Sequence, residues 1–178
     1  MLKQSNLLHI ATVGKAVGLK GDMKFHDKSD FPEQFVKGAS FLINEKESIT
    51  LSEVNHKRGL IKIVGCTSPE DAKKYINKEI FTTHEETRKN CHLDEGQYFW
   101  FDVVGCNVFE DGKCLGSVDE VERIGATNYL SLKTDISLIT DGLARTFLIP
   151  FQKPFILNTD IEKKVINASG AMDILEAS

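Results

Sequence analysis

The chain has 178 residues, of which 41% are hydrophobic and 27% charged, enough apolar material for one or two packed cores and too balanced a composition for disorder. With 22 Lys and Arg against 26 Asp and Glu, the net charge of −4 argues against a protein that grips nucleic acid mainly by covering phosphates, which requires a large excess of cations. A protein partner or a local basic patch suits this balance better.

The opening Met1-Leu2-Lys3-Gln4-Ser5-Asn6 is too polar, and the apolar run after it too short, for a secretion signal; no later run approaches the ~20 apolar residues of a membrane helix. A soluble, cytoplasmic protein is expected. Strand signals then follow at 7–13, 22–26, 40–44, 48–54, 60–64 and 80–83, short runs separated by turn residues. Between the first two lies Val13-Gly14-Lys15-Ala16-Val17-Gly18-Leu19-Lys20-Gly21-Asp22-Met23-Lys24. Its glycines and lysines fit either a loop offering N–H groups and ammoniums to phosphates or a tight barrel turn needing positive φ, and the weak spacing favours the turn.

In Ser48-Ile49-Thr50-Leu51-Ser52-Glu53-Val54, alternation places Ile49, Leu51 and Val54 near one face after a small slip, the pattern of a strand with one wet side. His56-Lys57-Arg58-Gly59 reads as a hairpin tip that could extend a basic rim with Lys15, Lys20 and Lys24. Ser68-Pro69-Glu70-Asp71-Ala72 signals a helix start: a capping hydroxyl, a proline at the first position and two carboxylates at the positive end of the dipole. With Ala72, Tyr75 and Ile76 turned inward, that helix is expected to lid the first barrel.

The stretch 83–96 carries only Cys91 and Leu93 as clearly apolar residues, so a domain boundary is expected near residue 90, giving domains 1–90 and 91–178. Four aromatics then stand side by side, Tyr98-Phe99-Trp100-Phe101, out of a total of Phe 11, Tyr 3 and Trp 1. Along a strand or in a short irregular turn they cannot all point inward. They fit a plug between domains or a protein-binding hot spot, because rings supply large contact area with few rotors to immobilise.

Strands are expected again at 107–110, 114–121, 129–133, 145–149 and 164–167, with Asp111-Gly112 as a strong hairpin turn and a short helix at the C-terminal 170–175. Many short strands without long helices imply antiparallel pairing in closed barrels or sandwiches, which remove exposed edges. The four cysteines form no C-x-x-C pair and the five histidines no ligand pattern, so no metal is expected. No G-x-S-x-G, P-loop or dinucleotide fingerprint is present, and nothing resembles a catalytic apparatus.

The ordered set of motifs resembles the RimM family of bacterial ribosome maturation factors. Val13-Gly14-Lys15 through Gly18-Leu19-Lys20-Gly21-Asp22 is similar to the family's opening, Phe31-Pro32-Glu33-Gln34-Phe35 to its next turn and Ser68-Pro69-Glu70-Asp71-Ala72 to its helix start. Tyr98-Phe99-Trp100-Phe101-Asp102-Val103-Val104-Gly105 is similar to the Tyr-Tyr-Trp-x-Asp-Leu-x-Gly signature, followed by Leu115-Gly116-Ser117-Val118, Gly125-Ala126 and Leu148-Ile149-Pro150-Phe151. Two departures stand out: Phe99 lacks the hydroxyl of the family tyrosine, and the opening turn lacks a Pro-His-Gly insertion.

The resemblance implies an all-β protein: a six-stranded N-terminal barrel like the second domain of elongation factors, then a C-terminal PRC barrel. It further implies a monomeric, cofactor-free, non-enzymatic assembly factor that binds free small ribosomal subunits through small-subunit ribosomal protein nineteen and assists rRNA processing. On that reading Tyr98, Phe99 and Trp100 dock the ribosomal protein, while Lys15, Lys20, Lys24, Lys57 and Arg58 face RNA. The alternatives are a flavin- or nucleotide-binding barrel enzyme and a generic PRC-barrel adaptor.

Overall fold

The computed structural model describes residues 6–178; the opening residues 1–5, part of the stretch read above for a missing leader, lie outside the described residues. By contacts the chain divides into two compact units, 1–92 and 93–178.

In the first unit, β1 (Leu7–Val17), β2 (Asp22–Asp27), β3 (Ser40–Ile43), β4 (Glu47–Asn55), β5 (Leu60–Ile63) and β6 (Glu79–Thr83) close into a barrel in the order β1-β2-β5-β4-β3-β6. Every pair is antiparallel, and closure of the ring, with β6 pairing back onto β1, leaves no strand at an open edge. Ile10, Val13, Met23, Phe35, Ile43, Leu51, Ile61 and Ile80 fill the interior. The slip anticipated in β4 is a bulge: register shifts between Leu51 and Glu53, which lets Ile49 and Leu51 bury while Val54 packs against the same core.

The helix α1 (Pro69–Lys73) starts as expected. Ser68 Oγ accepts from the Asp71 N–H at 3.2 Å, and Asp71 Oδ2 accepts from the N–H groups of Thr67 and Ser68 at 3.0 and 3.1 Å, a reciprocal capping box. It is shorter than its apolar stripe implied. Ala72 is fully buried, and Tyr75 beyond the helix packs on the barrel core. A second helix, α2 (His84–Asn90), was not expected: Thr83 caps it by accepting from the Glu86 N–H at 3.1 Å, and Thr87 alone of its residues is buried.

The second unit begins with α3 (Trp100–Val103) and continues through β7 (Asn107–Glu110), β8 (Lys113–Ile124), β9 (Thr127–Thr134), α4 (Ile136–Thr140), β10 (Thr146–Pro150), β11 (Ile156–Asp160), β12 (Val165–Ala168) and α5 (Ala171–Glu176). Its six strands run in the order β10-β9-β8-β7-β12-β11 around a core of Val108, Leu115, Val118, Leu130, Leu132, Ile149 and Ile166. The mostly-β reading of both halves holds. Antiparallel pairing has one exception, since β12 runs parallel to β7, with Ile166 opposite Val108. Asp111 and Gly112 form the β7–β8 turn with φ of 49 and 80, the two positive angles such a two-residue loop needs. Among the described residues no helix is long and apolar enough to cross a membrane.

Candidate docking face and basic rim

The aromatic block is no strand: Tyr98 and Phe99 lie in irregular chain, and Trp100 and Phe101 open the single-turn helix α3. Phe99 occupies the N-cap of α3 without a side-chain cap, and the helix is held mainly from its other end. Gly105, at φ 84, supplies the left-handed residue that ends it, and its N–H donates to the Val118 carbonyl on β8 at 2.8 Å. The Lys164 ammonium donates to the Asp102 carbonyl at 2.5 Å, a cation at the negative end of the dipole. The signature glycine is thus a backbone requirement.

The four rings separate by role. Tyr98, Trp100 and Phe101 are partly exposed, whereas Phe99 is buried at 8% exposure and lies 5.2 Å from Phe101 in a near-parallel stack of 6°. Phe99 therefore departs from the expectation that it shares an open docking surface. Tyr98 leans on Phe151, with ring centroids 6.1 Å apart, and its hydroxyl points at the Thr159 carbonyl at 3.5 Å, the outer limit for such a bond. Trp100 carries the Arg123 guanidinium 5.3 Å from its ring centroid.

Arg123 reaches that position through a hairpin. Gly125 and Ala126 form a two-residue loop with Gly125 at φ 63, which pairs Ile124 with Thr127 and Arg123 with Asn128. Arg123 Nε donates to Asn128 Oδ1 at 3.0 Å, and the Asn128 carbonyl accepts from the Phe151 N–H at 2.8 Å. The residues supporting Tyr98 and Trp100, namely Arg123, Asn128 and Phe151, were not singled out from the sequence as site residues. The Gly125-Ala126 loop was the available signal, because a two-residue turn dictates which residues face each other.

In the first unit the structure gathers part of the expected basic rim. The Lys24 ammonium donates to the Arg58 carbonyl at 2.6 Å, joining β2 to the β4–β5 hairpin tip that carries exposed Lys57 and Arg58. Lys15 is exposed within the β1 bulge between Val13 and Ala16, and Lys20 sits in the β1–β2 turn beside Leu19, which is 84% exposed. The glycines follow the turn reading. Gly18 and Gly21 hold φ of 70 and 85, and a Cβ on Gly21 would come within 2.6 Å of the Cys66 carbonyl oxygen. Among the described residues no group of three or more His, Cys, Asp or Glu is placed to hold a metal.

Together these features define a two-unit β protein with a partly exposed ring-and-guanidinium face on its second unit and a basic hairpin rim on its first. The description "RimM N-terminal domain" matches residues 8–87, and "RimM PRC barrel domain" matches residues 100–174. The chain is 64% identical over 179 residues to the ribosome maturation factor RimM of Sulfurimonas denitrificans, covering 100% of both, and 46% identical over 171 residues to that of a Nitratiruptor species, covering 96% and 98%. A structure assigned to a 16S ribosomal RNA processing protein RimM from Pseudomonas aeruginosa aligns over 94% of this chain and 99% of its own, at 20% identity and a TM-score of 0.42. The chain belongs to the RimM family.

Proposed function

We propose that this protein is a cytoplasmic, monomeric assembly factor that acts by binding, not catalysis, on free small ribosomal subunits. Its relatives' name, ribosome maturation factor, supports the general role. The second unit docks small-subunit ribosomal protein nineteen through Tyr98 and Trp100, with Phe99 supporting the face from beneath. The first unit turns Lys15, Lys20, Lys24, Lys57 and Arg58 toward rRNA. Labour is thereby divided between residues 1–90 and 91–178.

The observation that carries the docking assignment is that two large rings, Tyr98 and Trp100, stay partly exposed while each is braced by a named neighbour. Braced aromatics lose little rotamer freedom on binding, which is why such residues dominate interface energetics. Replacing Tyr98 and Trp100 together by Ala should weaken binding to the purified ribosomal protein by on the order of 2 kcal/mol or more. Unchanged affinity in a folded double variant rejects the assignment. Co-sedimentation with complete ribosomes as strongly as with free small subunits rejects the maturation role.

A further inference from the structure

We infer that Asn128 is the positioning residue of the docking face, setting the orientation of Trp100 through Arg123 and seating Tyr98 through Phe151. It rests on the docking reading for its functional half and stands on geometry for the rest.

The side chain and the main chain of Asn128 serve different rings of the face. Its Oδ1 accepts from Arg123 Nε at 3.0 Å, which fixes the plane of the guanidinium, and that guanidinium lies 5.3 Å from the Trp100 centroid. A planar cation anchored through Nε can lie over a ring in few orientations, so this hydrogen bond restricts the indole as well. Its carbonyl takes the Phe151 N–H at 2.8 Å, and Phe151 supports Tyr98 at 6.1 Å. Register makes this arrangement local and stiff: Asn128 and Arg123 are cross-strand partners just outside the Gly125-Ala126 turn.

Asn128 needs no contact with the partner to matter. Its effect is to remove alternative indole positions before binding, so that less ordering is left to occur on association.

The single tryptophan of the chain makes this measurable without any partner. In Asn128→Ala the main-chain bond to Phe151 survives, whereas the Oδ1 acceptor for Arg123 Nε is lost. Acrylamide quenching of Trp100 should rise about as much as in Arg123→Gln, and affinity for free small subunits should fall about tenfold, equivalent to about 1.4 kcal/mol. Asn128→Asp keeps the acceptor and should restore both values. Circular dichroism and urea unfolding verify that each variant is folded, and Arg123→Gln serves if Asn128→Ala is not.

Quenching unchanged in both folded variants overturns the inference. Altered quenching with unaltered affinity, beside a Trp100→Ala variant that does lose affinity, overturns it as well. If Trp100→Ala itself binds normally, the docking reading fails, and the quenching result still decides whether Asn128 positions the ring.

Discussion

Gly170 donates its backbone N–H to Glu110 Oε1 at 2.8 Å across sixty residues of sequence, and the other carboxylate oxygen of Glu110 accepts from the Met172 N–H at 2.8 Å. One side chain at the end of β7 thus satisfies two of the N–H groups that α5 leaves without partners inside the helix. Gly170 adopts φ 74 there and offers no side-chain cap of its own.

Glu110→Ala should therefore destabilise the second unit by on the order of 2 kcal/mol, because it strands two partly buried donors at once. Glu110→Gln keeps one acceptor oxygen and should lose a smaller amount. Urea unfolding followed by Trp100 fluorescence measures both, and equal stability of Glu110→Ala and the parent contradicts the capping role.

Two glycines of one hairpin should respond differently to alanine. A Cβ on Gly116 would collide with the Lys133 carbonyl oxygen across the β8–β9 pair, whereas Gly112 has open space and only a positive φ to protect. Gly112→Ala should cost about 1–2 kcal/mol, the penalty of a left-handed backbone. Gly116→Ala should exceed that clearly in thermal unfolding, since the strands themselves must separate.

Acid should erase the advantage of the α1 capping box in a defined direction. Hydrogen bonds from the Thr67 N–H and from Ser68 hold the Asp71 carboxyl below its ordinary value of 3.8. The folded state then binds fewer protons than the unfolded one, so this contribution is complete above the unfolded value and fades as pH falls through the lower folded value. The stability difference between the parent and Asp71→Asn should hold constant above about pH 5 and shrink below the ordinary carboxylate range of about 4.

At the alkaline end, burial pushes the Cys91 thiol up from 9.0 to about 11, with Glu33 adding to the shift. The unfolded chain releases that proton first, so stability should decline as pH rises from 9.0 toward about 11. Cys91→Ser should show a shallower decline over the same interval. Native protein at pH 8 should also react with a thiol reagent at Cys91 far more slowly than unfolded protein does.

For the basic rim, Lys57→Ala combined with Arg58→Ala should weaken binding to small-subunit rRNA across sequences and flatten the log–log salt dependence by about 1.5. An unaltered salt slope would remove these two residues from the RNA-facing set.

The strands were legible because their chemistry is local. Turn residues at His56 to Gly59 and at Asp111-Gly112 mark hairpins whose strands begin and end close to where alternation places them. The capping box at Ser68 and Asp71 was equally visible. What escaped depends on distant parts of the chain. Nothing in Trp100-Phe101-Asp102-Val103 favours a helix by propensity; Val118 and Lys164 hold it in place. β11 reads Ile156-Leu157-Asn158-Thr159-Asp160, too polar for a core strand, and exists because β12 pairs with it. α2 carried a cap at Thr83 and charges suited to its dipole, and lacked the apolar stripe by which helices are usually found. As for the site, the rings were visible as a cluster, but which of them stays exposed is decided by packing, and Phe99 illustrates the difference.

The place of β12 between β7 and β11 imposes a timetable on synthesis. All six strands of the first barrel lie before residue 84, so it can close while the remainder is still being polymerised. The second sheet has no such freedom: Asn107, Val108 and Phe109 must wait for Val165, Ile166 and Asn167 to emerge before their parallel neighbour exists. A nascent chain halted short of residue 165 would therefore carry one finished half and an unfinished other, and translation must pass Gly170 and α5 before Glu110 has a helix to cap.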